Sequence, residues 1–197
     1  MKTKILLISL FSITVCIVLM SLPDKSDEMQ NIEQKQKVEQ KAVSHRVEIQ
    51  NLLKETIVHE KNKEYEKVIK SYLLALEKFN EYCPNQYFDI VKTMNNLAGA
   101  YVNNNQLDMA IKTYLLAHEN AVKNKIEESY FVVLAGNIGH CYKRLNDYGQ
   151  SLLWFKKALP FYEKFHGKEN KKTIILNKKI KYLEMAIQHS IQSKKKQ

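Results

Sequence analysis

The 197-residue sequence carries 31 Lys and Arg against 21 Asp and Glu, a net charge of +10, with 45% hydrophobic and 26% charged residues. These proportions exclude wholesale disorder, five Gly and three Pro disfavour a turn-dense β-sandwich or barrel, and three Cys cannot build a disulfide scaffold. The excess charge would point to nucleic acid or an anionic surface only if it were concentrated; it divides into +2 over residues 1–23, +1 over 24–167 and +7 over 168–197.

Lys2 and Lys4 precede Ile5–Leu22, eighteen residues without a charge. A basic head and an apolar run form a secretory signal, and the run is also long enough to cross about 30 Å of hydrocarbon as a helix. Leu19 and Pro23 around Ser21 make a poor cleavage site, and Cys16 lacks the small preceding residue that lipidation needs. Residues 1–23 are therefore expected to be a signal-anchor, the alternative being a cleaved signal peptide. With Lys2 and Lys4 on the cytoplasmic side, the expected placement is single-pass with an extracytoplasmic body; cleavage would leave a secreted or periplasmic one. Residues 24–45 are polar and read as a stalk. Cys83 and Cys141 fall in different kinds of segment and read as small buried hydrophobes rather than as a pair.

The next 120 or so residues repeat themselves. Tyr65–Ala75 and Leu107–Ala117 share six identities in eleven positions at an offset of 42, and Tyr148–Ala158 follows at 41. Each copy sets a small or β-branched residue, an aromatic and an Ala at i, i+4 and i+7: Val68/Tyr72/Ala75, Ala110/Tyr114/Ala117 and Ser151/Phe155/Ala158. That spacing places the three on one helix face. Upstream, Leu97-Ala98 with Tyr101 and Ile138-Gly139 with Tyr142 mark a second helix, whose Ala98 and Gly139 permit a close crossing at Ala110 and Ser151. Asn103–Asn105 and Leu145–Asn146 supply the turns. In the first copy Glu55, Thr56 and His59 hold the corresponding positions, so its opening helix is expected to be degenerate or shifted.

These residues resemble the tetratricopeptide repeat, and the period of 41–42 resembles the longer repeats of the kinesin light chain type. The resemblance implies an all-α fold, a right-handed α-solenoid of helix–turn–helix repeats over about 46–82, 86–123 and 127–165 within a body spanning 46–169. Residues 170–197 are expected to cap it as a terminal helix with a basic tail, Ile174, Ile175, Ile180, Leu183, Ile187 and Ile191 facing the stack.

No Gly-rich phosphate loop, nucleophile elbow or metal motif occurs, and the six His never fall in an i, i+4 pair. The expectation is therefore no enzyme, no catalytic residue, no metal and no cofactor. Aromatics sit at repeat positions, where core packing explains them better than base stacking, and nucleic acid is not an expected partner. The resemblance instead implies a groove for a partner protein or peptide. Asn96 and Asn137 stand one residue before the large apolar position, and Lys92 lies one turn before Asn96. His140, Lys143 and Arg144 extend the face, and Asn95 and Asn103 adjoin it. The resemblance makes Lys92 and Asn96 half of a carboxylate-holding arrangement, so the basic members favour acidic side chains or a C-terminal carboxylate, although Val133 stands in the Lys position of the next repeat. The alternative is a scaffold subunit of an envelope or transport assembly that uses its end or convex surfaces.

Overall fold

The computed structural model describes residues 25–195, with side chains from residue 29 to 193. The chain divides into two units, Met1–His45 and Arg46–Gln197. In the first unit the described residues belong to helix α1 (Lys25–Lys61), and Met29, Ile32, Val38 and Val43 on it are exposed. The expected single-pass membrane placement is corrected here: among the described residues no helix is long and apolar enough to cross a membrane. In the two longest helices charge is the reason, since α1 carries Lys and Glu throughout and the terminal helix carries Lys with Glu184. The Ile5–Leu22 run that motivated the signal-anchor lies outside the described residues.

In the second unit the rest of α1 is followed by α2 (Tyr65–Tyr82), α3 (Tyr87–Asn103), α4 (Leu107–Lys123), α5 (Glu128–Arg144), α6 (Tyr148–His166) and α7 (Lys171–Lys195). From α2 onward each helix packs on the next. The unit is an all-α helical-repeat solenoid. The three repeat triplets are all buried, from Val68 and Ala75 at 0% exposure to Tyr72 at 5%, so the 3.6-residue period seen in the sequence is the core-facing stripe.

The helices turn by one recurring device. Lys63, Asn105, Lys125 and Asn146 have φ of 58°, 60°, 54° and 61°. After each, the next amide reaches back across the turn: Glu64 to His59 O, Gln106 to Tyr101 O, Ile126 to Ala121 O and Asp147 to Tyr142 O. This is a Schellman closure, which satisfies carbonyls that a helix end otherwise leaves bare. Asn tolerates the left-handed conformation, whereas Lys pays a steric cost there. Lys63→Gly and Lys125→Gly should each stabilise the fold by about 0.5–1 kcal/mol, as read from urea midpoints; a loss of stability would contradict the assignment of strain.

Within a repeat the helices cross where the residues are smallest. Ala98 and Ala110 are both fully buried, and one repeat on Ser151 Oγ donates to Gly139 O at 2.8 Å. A Cβ at Gly139 would lie 2.7 Å from the Phe155 ring, so only glycine fits. The buried threonines are likewise satisfied: Thr93 donates to Asp89 O at 2.7 Å, Thr56 to Leu53 O at 2.7 Å and Thr173 to Tyr162 O at 3.4 Å.

Two expectations differ in detail. The opening helix of the first repeat is degenerate in its signature but not shifted, since Thr56 takes the small-residue position and is buried. The cap α7 keeps Ile180 and Leu183 of the expected stripe and changes the rest. Thr173, Leu176, Ile180 and Leu183 are buried, while Ile174, Ile175 and Ile191 are 37%, 42% and 50% exposed. The buried set keeps i, i+3, i+4 spacing, which the isoleucines alone do not. Cys83 and Cys141 are buried, free, and in separate apolar clusters; burial pushes the Cys141 thiol up to about 11 against the pull of Arg144.

A candidate partner-binding groove

The sequence departure at the first repeat has a spatial consequence. Where α3 buries Leu97, Ala98 and Tyr101, α1 offers Glu55, Thr56 and His59. Glu55 is exposed, and His59 Nδ1 turns to Glu64 Oε2 at 2.6 Å instead of plugging the stack. Helix α1 is held to its neighbours by Ile49 and Thr56, with Leu53 half-buried, and by the ion pair of Glu48 with Lys78 at 2.8 Å. A cavity of about 530 Å³ opens between α1, α2 and α3. Tyr72 and Phe79 contribute its apolar side together with Ile49 and Leu53, and Arg46, Gln50, Glu60, Asp89, Lys92 and Asn96 its polar one. With its amide oxygen turned to Arg46, Gln86 accepts from Nε at 3.0 Å and Nη2 at 2.6 Å and donates to Asp89 Oδ2 at 3.3 Å. The Tyr72 hydroxyl lies 3.3 Å from Thr56 Oγ1 and donates to Glu60 Oε1 at 3.4 Å; burial, chiefly, raises the Tyr72 pKa.

The same place one repeat on is shut. Phe88 and Tyr130, equivalent to Arg46 and Asp89, meet edge to face at 5.5 Å, and Asn137 Nδ2 donates to Asn95 Oδ1 at 3.0 Å. Asn95 Nδ2 in turn donates to Asn96 Oδ1 at 3.2 Å. The asparagines singled out from the sequence thus form a chain from α5 to α3.

The other candidates are dispersed. Lys92 is exposed on the 530 Å³ groove, and Asn96 borders it as well as a second cavity of about 330 Å³ that Asn95 and Asn103 also line. Asn137 and His140 line a third cavity, of about 310 Å³, between α5, α6 and α7. Lys143 Nζ sits 5.1 Å from the Tyr182 ring centroid. Arg144 donates to Val102 O and Asn105 Oδ1, both at 3.2 Å, and so closes the end of α3. Sequence reasoning missed Arg46, Gln50 and Glu60, because the helix bearing them lacks the repeat signature; shifting Phe88, Lys92 and Val102 back by 42 residues would have found them. Among the described residues no cluster of His, Cys, Asp and Glu is placed to hold a metal ion.

Two histidines lie below the ordinary imidazole value of 6.5: His118 through burial and then Lys157, His140 through burial and then Lys179 and Lys143. The unfolded chain therefore takes up these protons at higher pH than the folded one, so their contribution is complete above 6.5 and is lost as pH falls through the lowered values. The melting temperature should drop on acidification below pH 6.5, and His118→Gln with His140→Gln should flatten that slope. An unchanged slope in the double variant would contradict these shifts.

Residues 79–197, more than half of the chain, match the family model described as "Uncharacterized protein conserved in bacteria (DUF2225)". The chain belongs to the DUF2225 family. No curated protein matches this DUF2225 chain. Among solved structures it is similar to BtubC (BKLC) from P. vanneervenii, with a TM-score of 0.60 and 14% identity over 76% of this chain and 66% of that one. It is similar to the TPR domain of Arabidopsis FLU, TM-score 0.55 and 20% identity over 61% and 98% of the two chains, and to the N-terminal domain of stress-induced protein-1 from C. elegans, TM-score 0.53 and 18% identity over 75% and 97%. The DUF2225 chain thus spans just under two thirds of BtubC and nearly all of the other two domains. At these identities the likeness is one of fold, a TPR-like helical repeat.

Proposed function

We propose that this DUF2225 protein is a protein–protein interaction module that takes a segment of a partner protein into the groove between α1 and α3. The observation that carries the reading is the 530 Å³ cavity left where α1 lacks the plugs that shut the next repeat. Its size lies within the roughly 300–1,000 Å³ range of ligand clefts, and its apolar side with convergent amides suits a peptide's side chain and backbone. The groove sets Arg46 and Lys92 against Glu60 and Asp89, a balanced rim, so apolar anchoring outweighs acidity in choosing the partner segment. On this reading the protein acts by binding rather than catalysis, with repeats over 46–82, 86–123 and 127–165 as the frame and 170–197 as the cap.

Peptides selected from a random display library on the full chain test it. Selected peptides should carry apolar anchors and bind about tenfold more weakly to Asn96→Ala with Gln50→Ala, or to Ile57→Trp, which overhangs the groove. Peptides whose affinity ignores all three substitutions would place the binding surface elsewhere.

A further inference from the structure

At the other end of the array the third cavity has a different character. His140 enters it from α5, Tyr162 from α6, and Lys172 and Lys179 from α7, with the Asn137 amide alongside. His140 Nε2 and Lys179 Nζ lie 2.9 Å apart, and the His140 ring rests edge-on against Phe155. Lys143 is close enough for its charge to act on both.

No carboxylate lines this cavity. Of the three acids on the surrounding helices, Glu128 pairs with Lys164 and Glu184 with Lys156 at 2.6 Å, and Glu163 is not among the residues that line the cavity. Lys172 belongs to the first turn of α7, whose amides add positive potential. Cations gathered around a cavity without a counter-ion repel one another, and that repulsion, after burial, holds His140 and Lys179 below their ordinary values. An anion entering the cavity would relieve it.

We propose that the cavity between α5, α6 and α7 binds a phosphate-class dianion, as inorganic phosphate or as a phosphomonoester. A dianion gains twice the Coulomb attraction of a monocarboxylate from each cation, and its several oxygens can accept from Lys172, Lys179, His140 and the Asn137 and Tyr162 donors together. Val133, Ile175 and Leu176 leave an apolar wall for the remainder of an ester. The site is independent of the groove between α1 and α3, and shares no lining residue with it.

Calorimetric titration of the full chain with inorganic phosphate, phenyl phosphate and acetate at matched ionic strength tests the proposal, with NMR titration of the His140 ring in parallel. Both phosphates should bind at least about tenfold more tightly than acetate, and saturation should raise the pKa of His140. Equal affinities would make the dianion the whole ligand, whereas tighter phenyl phosphate would identify an ester whose body fills the apolar wall. Lys179→Met or Lys172→Met should weaken binding at least about tenfold, and Lys112→Met on α4 should not. The wild-type titration does not depend on how the variants fold. Phosphates that bind no better than acetate, an unmoved His140, or binding lost only on removing Lys194–Lys196, would each overturn it.

Discussion

Phe155→Ala should lower the free energy of unfolding by about 3–5 kcal/mol, the range for deleting a buried aromatic without collapse of the surroundings. Phe155 is 1% exposed and presses against Gly139, with Ser151 tied to the Gly139 carbonyl beside it. Two helices fixed at their closest approach by a buried hydrogen bond have little freedom to fill the void. The complementary change, Gly139→Ala, inserts a methyl 2.7 Å from the ring and should cost about 1–3 kcal/mol through overpacking. Because both substitutions act on one contact, Gly139→Ala combined with Phe155→Ala should be less destabilising than the sum of the two alone. Urea unfolding followed by circular dichroism measures all four proteins; strict additivity would mean that the ring and the glycine do not restrain each other.

Leu183→Asp should be at least as severe, about 5 kcal/mol or more, because it combines the loss of a fully buried leucine with an unpaired buried carboxylate. Leu183→Ala calibrates the first part at about 2–5 kcal/mol. Leu183, Ile180 and Leu176 are the residues through which α7 covers the apolar face of the last repeat, alongside the Lys156–Glu184 pair. That pair is half exposed and contributes at most about 1 kcal/mol, so Glu184→Gln should be nearly silent by comparison. If Leu183→Asp were tolerated, α7 would be an appendage, not a cap. If Glu184→Gln matched it, the attachment would be ionic.

What could be read in advance follows from which residues repeat. The triplet on α2, α4 and α6 recurs three times with the same spacing, so one packing solution is written three times and its burial was plain in the sequence. The Ala98 and Gly139 crossings were readable for the same reason. The stripe of α7 has no second copy to align with, and a segment with isoleucines at several phases admits more than one face. Thr173 and Leu176 win because they land opposite Tyr162 and the core, which only the packed neighbour decides.

The groove was partly readable. Lys92 and Asn96 do border it, yet their context was hidden because hydrogen-bond partners are tertiary facts. Asn95 takes the amide of Asn137, and Arg144 closes the end of α3, although the sequence presents both as solvent-facing donors. The α1 contribution was obscured for a different reason. A helix recognised by its signature cannot be recognised when the signature is absent, and the cavity lies where Arg46 stands in place of the Phe88 that meets Tyr130 one repeat on.

That absence also sets a hierarchy of opening. Solenoid stability is distributed repeat by repeat, and a segment with few buried contacts opens at a lower free energy than its neighbours. From Arg46 to Lys61, α1 buries only Ile49 and Thr56, whereas α3 buries seven residues. The amides of this stretch should exchange with solvent deuterium long before those of α3 and α5, in excursions that leave the rest of the array intact. The lip of the groove is then the first part of the fold to yield, so a large side chain can be admitted at a small fraction of the energy needed to unfold the protein.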